Sequence, residues 1–292
     1  MHRSATHSDR PGDDAGVPMR GAQALLARES RSIKLSIVPL ACVVLLPAAA
    51  SAFQPLVTDD TGTQGAGGNQ VEAVYNRTTD KAPGVKTTTH EVPVGFTRGI
   101  TDALDIFIGL GRQKIVPDAP ATMERGGVNP VLGAKWRFHE NEANKLSFAF
   151  KPQIQFPVSK ESEARGLGTA RASFGVGLVL TQVTGFGAVH ANLLVDRVNY
   201  ADDALNAAER RTLYQLSVAP VWDVIEGWRL ALDAGLMTNP DSASKARMGY
   251  LELGAIYAPG KDLDLAFGIV RNAMDGGTRT TQATVGLTWR FR

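Results

Sequence analysis

From residue 69 onward the sequence alternates apolar and polar side chains with period two, segment after segment. The last segment is the clearest: Ala283, Val285, Leu287, Trp289 and Phe291 alternate with Gln282, Thr284, Gly286, Thr288 and Arg290. Leu263, Leu265, Phe267 and Ile269 repeat the pattern, as do Trp228, Leu230, Leu232, Ala234 and Leu236. Successive side chains of a strand point to opposite faces, so each segment reads as a strand with one apolar and one polar face. Continued along the chain, the pattern predicts twelve strands, at about residues 69–79, 86–98, 102–115, 127–139, 145–157, 168–183, 186–199, 211–223, 227–238, 247–258, 261–272 and 278–291. No amphipathic helix competes, although Ala201–Arg211 is compatible with a turn or two inside a loop.

The connections sort by length. Those after the second, fourth, sixth, eighth and tenth strands are tight, as at Thr184-Gly185 and Pro259-Gly260. The others are mostly longer and more polar, as at Val116–Gly126, Val158–Leu167 and Tyr200–Arg210. An even strand count with short turns at one end and long loops at the other predicts a closed antiparallel transmembrane β-barrel, with short periplasmic turns and longer extracellular loops.

Average composition hides this order. Of 292 residues, 43% are hydrophobic and 21% charged, and the mean hydropathy is −0.09, as in a soluble protein. Disorder is excluded by the apolar content and a net charge of only +2. A single cysteine excludes a disulfide scaffold. One apolar stretch, LSIVPLACVVLLPAAASA at residues 35–52, excludes a polytopic helical membrane protein. Arg28, Arg31 and Lys34 precede it, and it closes on Ala50-Ser51-Ala52. A basic flank, a short apolar core and a small-residue site read as a secretory signal peptide. Residues 1–52 are therefore an N-terminal extension and cleaved signal, with Met1 or Met19 as the start. Residues 53–68 are a periplasmic N-terminal segment, and residues 69–292 are the barrel. Cleavage removes six of 31 basic and four of 29 acidic residues, leaving 25 of each. No basic footprint for nucleic acid remains.

Three features fit a barrel better than a soluble sandwich. Trp136, Trp222, Trp228 and Trp289 all fall on apolar faces near the short-turn end, with Tyr257 and Phe291, as an aromatic girdle at a membrane interface would. Strand glycines, among them Gly133, Gly235, Gly254, Gly268 and Gly286, fall mainly on the opposite face and leave lumen space. Glu72, Glu91, Asp105, Lys135, Arg137, Lys151, Arg171, Arg229, Asp233, Glu252, Asp264 and Arg290 share that face. A closed soluble core would not bury so many charges, whereas a hydrated lumen can. Their expected role is cross-strand pairing, with a transverse pore field as the sharper reading. The C-terminal strand, alternating and ending in Phe291-Arg292, also resembles the signal read by the barrel-assembly machinery.

The segment from Phe53 carries Pro-Leu-Val-Thr-Asp-Asp-Thr-Gly-Thr-Gln-Gly, then Gln70-Val-Glu72 entering the first strand, with Val92-Pro-Val-Gly-Phe96 and Gly99-Ile-Thr-Asp102 beyond. These motifs resemble the MetA-pathway of phenol degradation family. The resemblance spans residues 53–292 and implies an outer-membrane barrel that helps small, often aromatic or hydrophobic, molecules cross. It brings no catalytic residues.

Thr58, Asp59, Asp60, Thr61 and Gln64 form a polar, tight-turning stretch. It reads first as a periplasmic clasp capping the barrel end. The alternative is a plug whose carboxylates pair with Arg137 or Arg290. Two adjacent carboxylates fall short of a calcium site, and no metal or cofactor is expected. A barrel lipid hydrolase would need serine and histidine within hydrogen-bond reach. His190 is expected opposite Leu180, about seven residues or roughly 20 Å along the strand from Ser173, so they make no dyad. The expectation is a non-enzymatic, porin-like channel in the bacterial outer membrane, in contact with lipid and small solutes. A structural or adhesive barrel is the alternative.

Overall fold

The computed structural model describes residues 54–118, 122–274 and 278–292. The signal-peptide reading of 1–52, and Phe53, lie outside the described residues. Thirteen strands and two short helices are described. They are β1 (Asn69–Ala82), β2 (Val85–Thr101), β3 (Leu104–Pro117), β4 (Glu124–Gly127), β5 (Val131–Asn141), β6 (Leu146–Gln155), α1 (Lys160–Ala164), β7 (Ser173–Thr184), β8 (Gly187–Arg197), α2 (Asp203–Ala208), β9 (Thr212–Ile225), β10 (Trp228–Met237), β11 (Met248–Gly260), β12 (Leu263–Met274) and β13 (Arg279–Phe291). Every pairing is antiparallel, between chain neighbours except that β3 pairs with β5 past the short β4, and β1 closes on β13 from Asn69↔Phe291 to Lys81↔Arg279. The result is a closed twelve-stranded barrel plus one extra strand, β4.

The extra strand divides one of the predicted twelve. β4 and β5 pair in succession with the same strand, β3. From Gly127 to Val131 is four steps, but their partners Arg112 and Gly109 are three apart, so one residue is inserted as a bulge. Pro130 sits in that gap and has no N–H for the ladder. β7 begins at Ser173, not 168, because side chains occupy the preceding backbone. Thr169 N–H donates to Asn129 Oδ1 at 2.8 Å, and Ala170 N–H donates to Glu163 Oε2 at 2.6 Å. The β1–β2 connection is also shorter than expected, a two-residue turn in which Gly84 takes φ +75°.

Alternation becomes inside and outside. On β11, Leu253 is 64% exposed while its neighbour Glu252 is 0% exposed. Outward leucine, isoleucine, valine and phenylalanine cover the wall, and polar side chains fill the interior. That inverts the pattern of a water-soluble fold. Trp136, Trp222, Trp228 and Trp289 face outward near the short turns. They meet aromatic neighbours: Trp228 on Tyr257 at 4.8 Å, Trp289 on Phe291 at 4.6 Å, Trp136 by Phe138 at 5.8 Å and Phe186 on Trp222 at 6.0 Å.

Candidate functional site in the barrel lumen

Residues 54–68 run inside the barrel as a strap along its inner wall. Their contacts pass from β13 round to β2. Gln54 and Pro55 lie against Gly286, Gly268 and Gly254, where a Cβ on Gly268 would come within 2.8 Å of Pro55. Leu56 is buried in a socket of Ala219, Val221 and Ala231 on β9 and β10. Thr61 N–H donates to Thr181 Oγ1 at 3.0 Å, and its hydroxyl meets Ser147 at 2.5 Å. Gln64 N–H donates to Asp105 at 3.0 Å, and Ala66 N–H to Asp102 at 3.0 Å. Gly67 and Gly68 then pair with Gly99 of β2 and lead into β1.

The strap meets charges of both signs. Lys135 and Lys151, on β5 and β6, form a basic wall. Lys135 Nζ lies 3.3 Å from Asp59 and 3.7 Å from Asp60, and Lys151 Nζ lies 2.6 Å from Asp59. Lys151 also sits 5.3 Å over the ring of Phe107, which is buried across Gly133. Asp233 and Glu252, paired directly across β10 and β11, form an acidic wall five strands away. Like charges so placed repel, and the strap brings donors to them. Thr58 N–H and Oγ1 donate to Asp233 at 2.7 Å each, and Val57 N–H donates to Glu252 at 3.3 Å. Tyr250 adds its hydroxyl to Asp233 at 2.9 Å. Carboxylates at 59–60 thus face the lysines, while N–H groups at 57–58 face the carboxylates. Burial would raise the Asp60 carboxyl, but the Lys135 ammonium, helped by His190 and the Gly62 N–H, holds it below the ordinary range.

This geometry corrects the clasp reading. The segment lies within the lumen, and its carboxylates meet Lys135 and Lys151, not Arg137 or Arg290. Arg137 is two residues nearer the turn, where it binds Glu140 at 3.2 Å and the Asp102 carbonyl at 2.9 Å. Arg290 converges with Arg229 on Asp264, at 2.9 and 3.3 Å. Glu72 and Glu91 are buried inward on β1 and β2. Arg171 does not join the inner wall, because it is exposed in the segment before β7. His190 stands opposite Thr181, one position from the expected register, with its Nδ1 2.9 Å from the threonine hydroxyl. Ser173 is eight residues from Thr181, about 26 Å along the strand.

Sequence reasoning missed the Leu56 socket, Ser217, Thr181, Ser147 and Tyr250. The one available signal was small inward residues, Ser217, Ala219 and Ala231, which leave a recess. At the short-turn end a cavity of about 570 Å³ opens between strap and wall, lined by Asp60, Gln64, Gln70, Lys135, Asp262 and Arg290. At the other end the long loops are tied together. Glu163 of α1 accepts the N–H groups of Ala170, Ala201 and Asp202, and Gln113 Nε2 donates to Gly166 O at 3.2 Å. Arg210 donates to the carbonyls of Asn239 and Ser244 at 2.8 and 2.7 Å. Beside it, burial and the facing Asp241 push the Glu209 carboxyl up, against the pull of Arg210.

The strap depends on glycine where it leaves the lumen. A Cβ at Gly99 would lie 1.8 Å from Gly65 O, an impossible approach. Gly99→Val should therefore dislodge residues 65–68, and single-channel recordings should show a noisier trace with larger openings. A wild-type trace from folded variant would contradict this.

A closed barrel with an apolar outside and a charged, strapped interior defines the class of membrane-spanning β-barrels. Residues 58–291 match the family described as Putative MetA-pathway of phenol degradation, and the chain belongs to it. Among solved structures it is similar to the COG4313 outer membrane channel from Pseudomonas putida F1, with TM-score 0.65 and 17% identity over 81% of this chain and 100% of that one. The NanC porin is similar with TM-score 0.51 and 9% identity, over 74% of this chain and 98% of the porin. Among curated proteins, none matches this chain.

Proposed function

We propose that this protein is an outer-membrane channel for passive passage of small molecules, its lumen narrowed by its own N-terminal strap. The observation that carries the reading is the polar, charged interior of a closed barrel whose outer wall is apolar. Residues 1–52 are an N-terminal extension and cleaved signal peptide, both barrel termini face the periplasm, and the outward tryptophans mark the periplasmic interface. A small aromatic or hydrophobic solute is the substrate class, a choice supported by the family. The inner charges hold the strap and one another, and solutes pass between them. No step of covalent chemistry is assigned.

Reconstitution tests this directly. Liposomes carrying the barrel should swell in phenolic solutes and, more slowly, in sugars, and planar bilayers should show discrete conductance steps. A correctly folded barrel that passes no solute would end the channel reading and leave a structural or adhesive barrel.

The lipid-facing wall has its own test. Leu253→Arg, at an outward position in mid-strand, should lower stability in bilayers by about 2–4 kcal/mol. Reversible urea unfolding in vesicles measures it, and a change below about 0.5 kcal/mol would mean that this face does not meet hydrocarbon.

A further inference from the structure

The outer wall turns basic at the long-loop end of β1–β4. Arg77 on β1 is directly opposite His90 on β2, His90 opposite Lys114 on β3, and Lys114 opposite Arg125 on β4. Directly opposed residues share a face of the sheet, and exposed Val92, Val94 and Leu110 of the same parity mark it as the outer one. Arg112 stands two residues before Lys114 on that face. Four residues along β1 a second row crosses, Arg279–Lys81–Lys86.

Most of these cations lack counter-charges. Arg77, Arg112, Lys114 and Arg125 are exposed. Among the described residues, no carboxylate pairs with any of the four. Glu124, the neighbour of Arg125, turns to Arg165 at 3.7 Å, and Lys86 takes Asp118 at 3.7 Å. Lys114 against Arg125, and Lys81 against both Lys86 and Arg279, set like charges face to face, which is destabilising in a bare sheet.

Height along the barrel says what could neutralise them. Leu104 of β3 pairs with Trp136 in the aromatic band. From Leu104 to Lys114, ten residues rise about 33 Å along the strand, or roughly 25 Å along the barrel axis at a tilt near 40°. That matches the height of the apolar band of such barrels, roughly 25 Å. Between them the outward residues are Ile106, Ile108, Leu110 and Arg112, so the basic side chains begin where the apolar ones end. Lys114 therefore stands at the level of lipid headgroups, and on β1 and β2 the outward apolar residues likewise end at Tyr75 and Val92, just before Arg77 and His90. Across four strands it is roughly 14 Å wide, and the two rows are about 13 Å apart. That area exceeds one phosphodiester and suits a headgroup with more than one phosphate. Arginine forks bind phosphate oxygens in pairs.

We propose that this face binds the phosphates of a phosphorylated glycolipid in the outer leaflet, with Arg77, Lys114 and Arg125 as the contacts. The inference rests on the outer-membrane placement proposed above, but not on conduction. Purified protein in detergent would be titrated with bisphosphorylated lipid A, and bound lipid counted by native mass spectrometry. The same would be done with an Arg77→Gln/Lys114→Gln/Arg125→Gln variant. At about 1 kcal/mol per cation, the variant should bind about a hundredfold more weakly. Phosphatidylglycerol should bind the wild-type protein far less tightly than lipid A. Equal lipid A affinity for both proteins, or phosphatidylglycerol bound as tightly as lipid A, would overturn the proposal. Heat-modifiable gel migration checks the fold, and if the triple variant fails it, Arg125→Gln on the short β4 should still weaken binding severalfold. Conductance should be unchanged in the variant. Its absence in both proteins would count against the channel reading alone.

Discussion

Deleting residues 54–66 should raise single-channel conductance several-fold and leave the barrel folded. The strap adds no rung to the closed ladder, because β1 pairs with β13 and β2 from Asn69 onward. Removing it opens the cross-section that Leu56, Thr58, Asp59 and Thr61 now occupy, all of them buried. The charges it leaves are not stranded. Lys135, Asp233 and Glu252 would face water in an open lumen, where their hydration replaces the lost partners. Planar-bilayer recordings beside a heat-modifiability gel decide the matter. An unchanged conductance in a folded barrel would mean that the strap does not restrict passage.

The second large effect lies in the lysine wall. Lys135 is 1% exposed, and it is one of two ammonium groups facing Asp59. Lys135→Met should cost about 3 kcal/mol, chiefly by leaving Asp59 and Asp60 short of positive charge in a confined space. Asp59→Asn removes the other half. The double variant should cost less than the two single losses summed, because Lys135 and Asp59 no longer leave each other unpaired, while Asp60 and Lys151 each still lose one partner. Urea unfolding in detergent gives the four corners of the cycle. Losses that simply add, with coupling below about 0.5 kcal/mol, would show that the pair does not anchor the strap. The Lys135→Met channel should also shift its reversal potential toward cations, since it loses a positive lumen charge.

The barrel was legible because it is written locally. A strand that meets lipid on one face and a lumen on the other must alternate, so Ala283 to Phe291 declares its faces without reference to any other strand. Hairpin order then follows from short turns. The break between β4 and β5 was less visible, since Pro130 marks an interruption but not its register. The strap was hidden for the opposite reason. Residues 54–68 have no period, and their partners are set by the finished barrel: Ser147 lies 86 residues from Thr61, and Glu252 lies 195 from Val57. Arginine was the natural guess for Asp59, but depth decided for lysine. Arg137 stands at the rim, while Lys135 is at the level where the strap passes. The glycines were read as leaving empty lumen. Gly254 and Gly268 do leave room, and Pro55 takes it.

The strap's contacts also impose an order of events. It precedes every strand in the chain, yet its sites at Asp233 and Glu252 belong to β10 and β11, among the last strands to be made. It cannot be seated while the sheet is still growing. The first residues of the barrel region to be made are the last to find their place, and the wall must curl round them before they do. An assembly stalled short of β10 would carry a loose N-terminus open to protease, and protection of residues 54–68 would report that the barrel has been completed.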